Sequence, residues 1–233
     1  TVAVGYQALT ALTTGASNTA VGYQSGVALT TGSSNTFIGN NNGSSLTTQS
    51  NNVLIGKGIG PTAVSMDNTV AIGNDIVSSA ASGTWASQSN SVFIGHEVGK
   101  NVTTSSVASN VWIGSGAGLN RNGSYETVLI GQGAGAGGSS LIAIGRQSMN
   151  IGGSSSLGIG HSVGANNGGA DAVIVGNTAG QYGSTTESVL MGNWTARNAG
   201  GNYSVIMGHR ASQSGTSHNS VHIGHSSGQN NDG

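Results

Sequence analysis

The chain of 233 residues holds seven acidic side chains and six histidines, the groups whose spacing could support acid–base chemistry or metal binding. The acids are scattered along its whole length, at positions 67, 75, 97, 126, 171, 187 and 232. General acid–base catalysis needs titratable groups held within hydrogen-bond reach of one reacting centre. Because the acids are so widely spread, the sequence favours a protein that is not an enzyme.

Four of the histidines share one position, directly after the glycine that ends a short apolar run. That position otherwise holds Tyr, Asn, Gln, Lys, Arg or Ser, which is typical of an exposed polar corner; the four are His96, His161, His209 and His225. His222 differs because it lies inside an apolar run. If three copies of the chain met on one axis there, three imidazoles could bind a divalent metal ion. An axial metal at His222 is the single cofactor that the sequence suggests.

The elements that position these residues belong to an internal repeat. A short apolar run ending in glycine recurs at steps of 14 to 22 residues. The motif glycines are at 5, 22, 39, 56, 73, 95, 114, 131, 145, 160, 176, 192, 208 and 224. Fourteen repeats fill the chain, so we predict one repeat domain over residues 1–233.

The apolar run of each repeat is predicted to be a short β-strand. The residue before the motif glycine is aliphatic in every repeat, and the residue three before it is Val, Ile, Leu or Thr. Two residues apart on a strand, these positions share one face, which we expect to fill the interior of a coil. Helices are disfavoured because the pattern lacks a 3.6-residue period. The sequence therefore predicts an all-β protein, a parallel β-solenoid of about fourteen coils.

The position between these two is also apolar in most repeats, although it should face the other side of the strand. A second buried face on a soluble solenoid needs a cover, and further copies of the same chain about a common axis would supply it. We therefore predict a homotrimer whose interface is formed by the large residues of this position. These are Phe37, Leu54, Phe93, Trp112, Leu129, Ile174, Leu190 and Ile206.

The remaining positions of the repeat indicate corners. Asn, Ser or Thr commonly lies four residues before the motif glycine, where a short polar side chain can bond to nearby backbone. Small or β-branched residues lie three after it and predict a second, inward-facing strand. A further glycine follows in nine repeats and predicts a corner with positive φ.

Several runs resemble the repeats of trimeric adhesin heads and of bacteriophage tail fibres, over nearly all of the chain. They are SNTAVGYQSG at 17–26, NTVAIGND at 68–75, NSVFIGHEVG at 90–99 and NSVHIGHSSG at 219–228. The resemblance implies a left-handed β-roll, three of which associate about one axis. The spacer ALTTGAS at 11–17, which leads into the run NTAVG at 18–22, is more similar to phage fibre shafts.

Composition limits the partners and the location. Charged residues make up 6% of the chain and the formal net charge is −1, so a basic nucleic-acid surface is excluded. No run approaches the ~18 apolar residues of a membrane helix, so we expect no membrane insertion. Cysteine is absent, which removes disulfides and thiol chemistry. The chain begins at Thr1 without a signal-like segment, so we expect a trimmed protein or a piece of a longer one.

Aromatic residues outside the repeat positions are candidates for contact with a host-cell glycan or protein receptor. They are Trp85, Tyr125, Tyr182, Trp194 and Tyr203, of which we select Trp194, Tyr203 and Tyr182. Together these observations predict a trimeric tail-fibre segment that extends from a virion and contacts the host surface. The alternatives are the head of a bacterial trimeric adhesin at the cell surface and a subunit of a structural extracellular filament.

Overall fold

The computed structural model describes residues 1–60, 66–78, 89–102, 107–119, 124–135, 139–149, 155–165, 169–216 and 218–229. Within these ranges every regular element is a β-strand and none is a helix, so none of them holds a helix that could cross a membrane. The chain groups into two compact units, Thr1–Tyr125 and Glu126–Gly233. Trp85 lies outside the described residues.

The first unit is a stack of parallel strands. Its strands are β1 (Val2–Val4), β2 (Thr19–Val21), β3 (Thr36–Asn40), β4 (Val53–Lys57), β5 (Val70–Asn74), β6 (Val92–His96), β7 (Val107–Ala108), β8 (Val111–Ile113) and β9 (Ser124–Tyr125). Strands β1 to β6 and then β8 pair in this order, each parallel to the next. Strand β7 pairs with β9 in a second, short sheet.

The second unit repeats the same plan. Its strands are β10 (Val128–Ile130), β11 (Ile142–Ile144), β12 (Leu157–His161), β13 (Val173–Asn177), β14 (Thr185–Thr186), β15 (Val189–Met191), β16 (Asn198–Asn202), β17 (Val205–Met207), β18 (Ser214–Thr216) and β19 (Val221–Ile223). Strands β10, β11, β12, β13, β15, β17 and β19 pair parallel in this order, and β14, β16 and β18 form a second sheet. The predicted all-β parallel β-solenoid is confirmed; its fourteen coils, its hand and the single repeat domain remain predictions.

Register explains why every repeat ends its strand in glycine. Paired strands align motif glycine with motif glycine, as Gly160 aligns with Gly176. Gly160 has φ +131, and a Cβ placed on it would overlap the carbonyl oxygen of Gly176. A side chain at this position would therefore push successive coils apart, whatever its chemistry.

The interior of each stack is lined by the middle position of the strand, which we name the core row. Its members are buried in all repeats except at Ala3 and His222. The predicted interface residues all belong to it, with at most 1% of their surface exposed: Phe37, Leu54, Phe93, Trp112, Leu129, Ile174, Leu190 and Ile206. The prediction that they face sister copies is wrong, because these side chains are enclosed by their own chain.

The corner after the strand confirms one prediction and corrects another. The residue four after the motif glycine has positive φ in every repeat, including the non-glycine residues Leu9, Val77 and Met149. The residue three after the motif glycine is buried, as predicted, in repeats such as those of Ile59 and Val98. It lies in a turn, as at Val98, or in an irregular segment, as at Ile59, and not in a second strand.

Core volume is shared between the core row and this left-handed corner. A Cβ on Gly118 would lie 2.6 Å from the Trp112 ring, and one on Gly43 would lie 3.2 Å from the Phe37 ring. The glycines thus make room for large core residues. Where the core row holds alanine, the corner residue is often larger: Ala3 is followed by Leu9, Ala71 by Val77 and Ala143 by Met149.

The polar residues four before the motif glycine form ladders between coils. The main-chain N–H and the side-chain amide of Asn35 both donate to Oδ1 of Asn18, at 3.0 and 3.1 Å. Oδ1 of Asn35 in turn accepts the same pair of bonds from Asn52. All three asparagines are buried. The predicted bonding to backbone is confirmed, and it joins neighbouring coils as well as the local turn.

Candidate functional site

The main sheet of each unit carries an apolar outer surface, which we name the aliphatic face. It consists of the two strand positions that flank the core row and therefore lie on the opposite side of the strand. In the first unit its most exposed members are Val2, Val4, Val21, Ile38 and Ile72, with 37% to 56% of their surface exposed. The prediction that these positions fill the interior is wrong.

The second unit carries an equivalent surface. Its most exposed members are Ile142, Ile159, Val173, Met191, Val221 and Ile223. Within each unit the face has no charged member, and the other members are half-buried. Isolated exposed aliphatics are ordinary, but two adjacent rows made mostly of aliphatic side chains on one sheet, interrupted here only by Thr19 and Thr36, are typical of a surface that another protein surface covers.

The predicted receptor residues Trp194 and Tyr182 lie in one group on the second unit, together with two arginines. The guanidinium of Arg197 lies 5.7 Å from the Trp194 ring and 5.8 Å from the Tyr182 ring. The guanidinium of Arg210 also contacts this indole, 4.8 Å from the centre of the Trp194 ring. We name Tyr182, Trp194, Arg197 and Arg210 the cationic–aromatic cluster.

Tyr203 is not part of this cluster. It precedes β17, whereas Trp194 follows β15, and these two strands run parallel in register. The two aromatic residues therefore lie at opposite ends of the sheet. Tyr203 is 58% exposed, and its main-chain N–H donates to the carbonyl of Thr186.

Neither arginine of the cluster was predicted from the sequence. Arg210 follows Trp194 by 16 residues, which is one repeat period in this part of the chain. Residues one period apart lie next to each other in successive coils, so the spacing could have identified the pair. The same rule places His225 beside His209, whose rings stack at 5.0 Å, and the His209 ring lies 6.3 Å from that of Trp194.

His222 lies in the core row, beside Ile206 of the preceding paired strand. Its ring lies so close to Gly228 that a Cβ there would overlap it. Nε2 is buried and has no hydrogen-bond partner among the described residues. The ring therefore packs inside its own coil, and the axial metal at His222 remains a prediction. The described residues contain no group of three or more possible metal ligands.

A polar groove of about 330 Å³ lies on the first unit, at the C-terminal ends of β3 and β4 and the corners that follow β4, β5 and β6. Asn40, Lys57, Asp75 and Lys100 are among its lining residues. Nζ of Lys100 donates to a carboxylate oxygen of Glu97 at 2.5 Å. This bond lowers the pKa of Glu97 and raises that of Lys100. Since both signs of charge meet here and one lysine is already paired, the groove has no marked preference for an ion.

Comparison with known proteins adds no family to this description. No protein-family model, no curated protein and no solved structure matches this chain.

Proposed function

We propose that this chain is a structural attachment protein that assembles with copies of itself through the aliphatic face. The assembly is a homotrimer that forms a segment of a phage tail fibre, outside the cell, and carries receptor-contacting corners on its exposed sides. The observation that carries the proposal is the aliphatic face itself, two rows of exposed and half-buried Val, Ile, Leu and Met side chains on each unit, interrupted in the first unit only by Thr19 and Thr36.

The size of the face supports a protein partner. In the first unit it crosses seven paired strands and holds twelve aliphatic side chains, five of which are 37% to 56% exposed. A contiguous apolar surface of this kind marks a site of interaction with another protein. The aliphatic face has no charged residue, so an interface confined to it would bury no charge that needs a partner.

The periodicity of the face favours a second and third copy of this chain as the cover. Its rows repeat at the spacing of the paired strands, ~4.8 Å, within each unit. A copy related by an axis along the strand stack presents rows of the same spacing, so side chains can interdigitate along their whole length. The resemblance of the repeats to trimeric fibres and adhesin heads favours three copies.

The proposal is tested by placing charge on the face without touching the core. Ile38 and Ile72 are about 38% and 37% exposed in the single chain, so Ile38→Glu with Ile72→Glu leaves each coil able to fold. We expect the wild type to sediment as a trimer and the double variant as a monomer with β-sheet circular dichroism. The loss follows from carboxylates that would have to be buried next to one another.

The matched control is Thr14→Glu with Thr31→Glu, which adds the same charge at two exposed residues outside the face. We expect it to remain trimeric. A wild-type chain that sediments as a monomer at ~10 µM overturns the proposal, as does a face variant that stays trimeric with unchanged thermal stability. Electron microscopy separates discrete fibres from a filament that grows without limit, and neighbouring genes separate a phage from a bacterial surface protein.

A further inference from the structure

The cationic–aromatic cluster combines two aromatic rings with two guanidinium groups on one corner of the second unit. Tyr182 is 53% exposed and Trp194 is half-buried. Trp194 has φ +58, a conformation that a bulky residue rarely adopts. Its main-chain N–H nevertheless donates to the carbonyl of Asn177 at 2.9 Å, so the coil stack holds the indole at this corner.

The two arginines have hydrogen-bonding capacity that the protein does not use. Nε of Arg197 donates to Oε1 of Gln181 at 3.3 Å, and its terminal nitrogens have no partner among the described residues. Nε of Arg210 is buried, and it too has no partner among them. Neither arginine forms an ion pair in the described part of the chain. The terminal nitrogens of both arginines are not buried and form no hydrogen bond within the described residues, so these are the donors that an external acceptor can reach.

Charge is segregated along the strands of the second unit. Its described acidic residues each lie five residues before a motif glycine, at the N-terminal ends of strands: Glu126, Asp171 and Glu187. Its arginines lie beyond the C-terminal ends of main-sheet strands: Arg146 and Arg210 lie within two residues of a motif glycine, and Arg197 lies directly before β16. No carboxylate of the described residues therefore competes for the guanidinium groups of the cluster, and the electrostatic potential there favours an anion.

We propose that the cationic–aromatic cluster binds an acidic saccharide, which makes it the receptor-contact site of the proposed attachment function and rests on that function for its biological role. The apolar face of a sugar ring packs on the exposed indole and phenol surfaces. A carboxylate or phosphate on the sugar accepts hydrogen bonds from Arg197 and Arg210, whose planar groups match such oxygens in pairs. Two arginines without a wider basic surface suit a single anionic group rather than a nucleic-acid backbone.

The test is isothermal titration calorimetry with three probes: tetragalacturonate, its methyl ester and mannose 6-phosphate. The first and third distinguish a carboxylate from a phosphate, and the ester removes the charge while keeping the sugar. We expect at least one acidic probe to bind and the ester to bind at least tenfold more weakly. Arg210→Gln should weaken binding of the acidic probe about tenfold or more, because one charge-assisted contact is lost.

Arg146→Gln is the matched control, since it removes one positive charge from the same side of the same unit but outside the cluster. We expect it to bind as the wild type does. The inference is overturned if neither acidic probe binds at millimolar concentration, if the ester binds as tightly as the acid, or if both glutamine variants lose affinity equally. Sedimentation of the same samples separates the two proposals. A trimer that binds no acidic probe overturns this inference alone, whereas a monomer that binds one overturns only the assembly.

Discussion

The packing of Trp112 against Gly118 leads to a quantitative prediction for the substitution Gly118→Ala. Gly118 has φ +67, and an added Cβ would lie 2.6, 2.7 and 2.9 Å from three atoms of the Trp112 ring. The indole is fully buried, and the ring of Phe93 lies 5.1 Å from it. A Cβ on Gly99 of the preceding repeat would also lie 2.9 Å from this indole. The ring therefore has little room to move away.

The expected loss of stability has two parts. Placing alanine in the left-handed conformation costs about 1–2 kcal/mol. Forcing an extra methyl group into a filled core costs about 1–3 kcal/mol more. Gly43→Ala is the matched control, since its φ is +60 and its Cβ would lie 3.2 Å from the Phe37 ring. We expect Gly118→Ala to lower the free energy of unfolding by about 2–5 kcal/mol and Gly43→Ala by about 1–2 kcal/mol.

Urea unfolding followed by circular dichroism measures both values, and a double-mutant cycle with Trp112→Phe identifies the cause. The smaller ring should make Gly118→Ala less destabilising by about 1 kcal/mol or more, because contacting residues couple. The reasoning fails if Gly118→Ala and Gly43→Ala cost the same, or if the effects of Gly118→Ala and Trp112→Phe are additive.

Two further stability predictions follow from buried polar groups. His222→Leu should raise the free energy of unfolding by about 1 kcal/mol, because it removes a buried nitrogen that has no partner among the described residues. Other repeats hold Leu190 or Ile206 at this position, and an unchanged or lower melting temperature would contradict the prediction. Asn35→Ala should lower the free energy of unfolding by about 2–4 kcal/mol, since several buried hydrogen bonds between coils are lost. Asn40→Ala, at an exposed position without positive φ, should change it by less than ~0.5 kcal/mol, and equal losses in the two variants would refute the role of the ladder.

The members of the candidate sites are brought together by contacts between repeats, which residue type alone does not reveal. The selection of Trp194 and Tyr182 identified part of the cationic–aromatic cluster, because exposed aromatics are visible in any sequence. Arg210 joins them only through the stacking of successive coils, which brings residues one period apart together. Tyr203 is selected from the sequence together with Trp194, but the parallel sheet separates the two residues by the length of a strand.

The sequence alone determined that this protein is a parallel stack of short strands, because a glycine at every strand end and two-residue alternation permit little else. It did not determine which side of each strand is inside, since both sides are apolar. Alternation separates the residues of a strand into two faces but does not say which face is buried. The left-handed corners decide this by turning the chain toward the core row, so that Trp112 and Phe37 fill the interior. The same turn leaves Ile38 and Ile72 on the surface, where a partner can cover them.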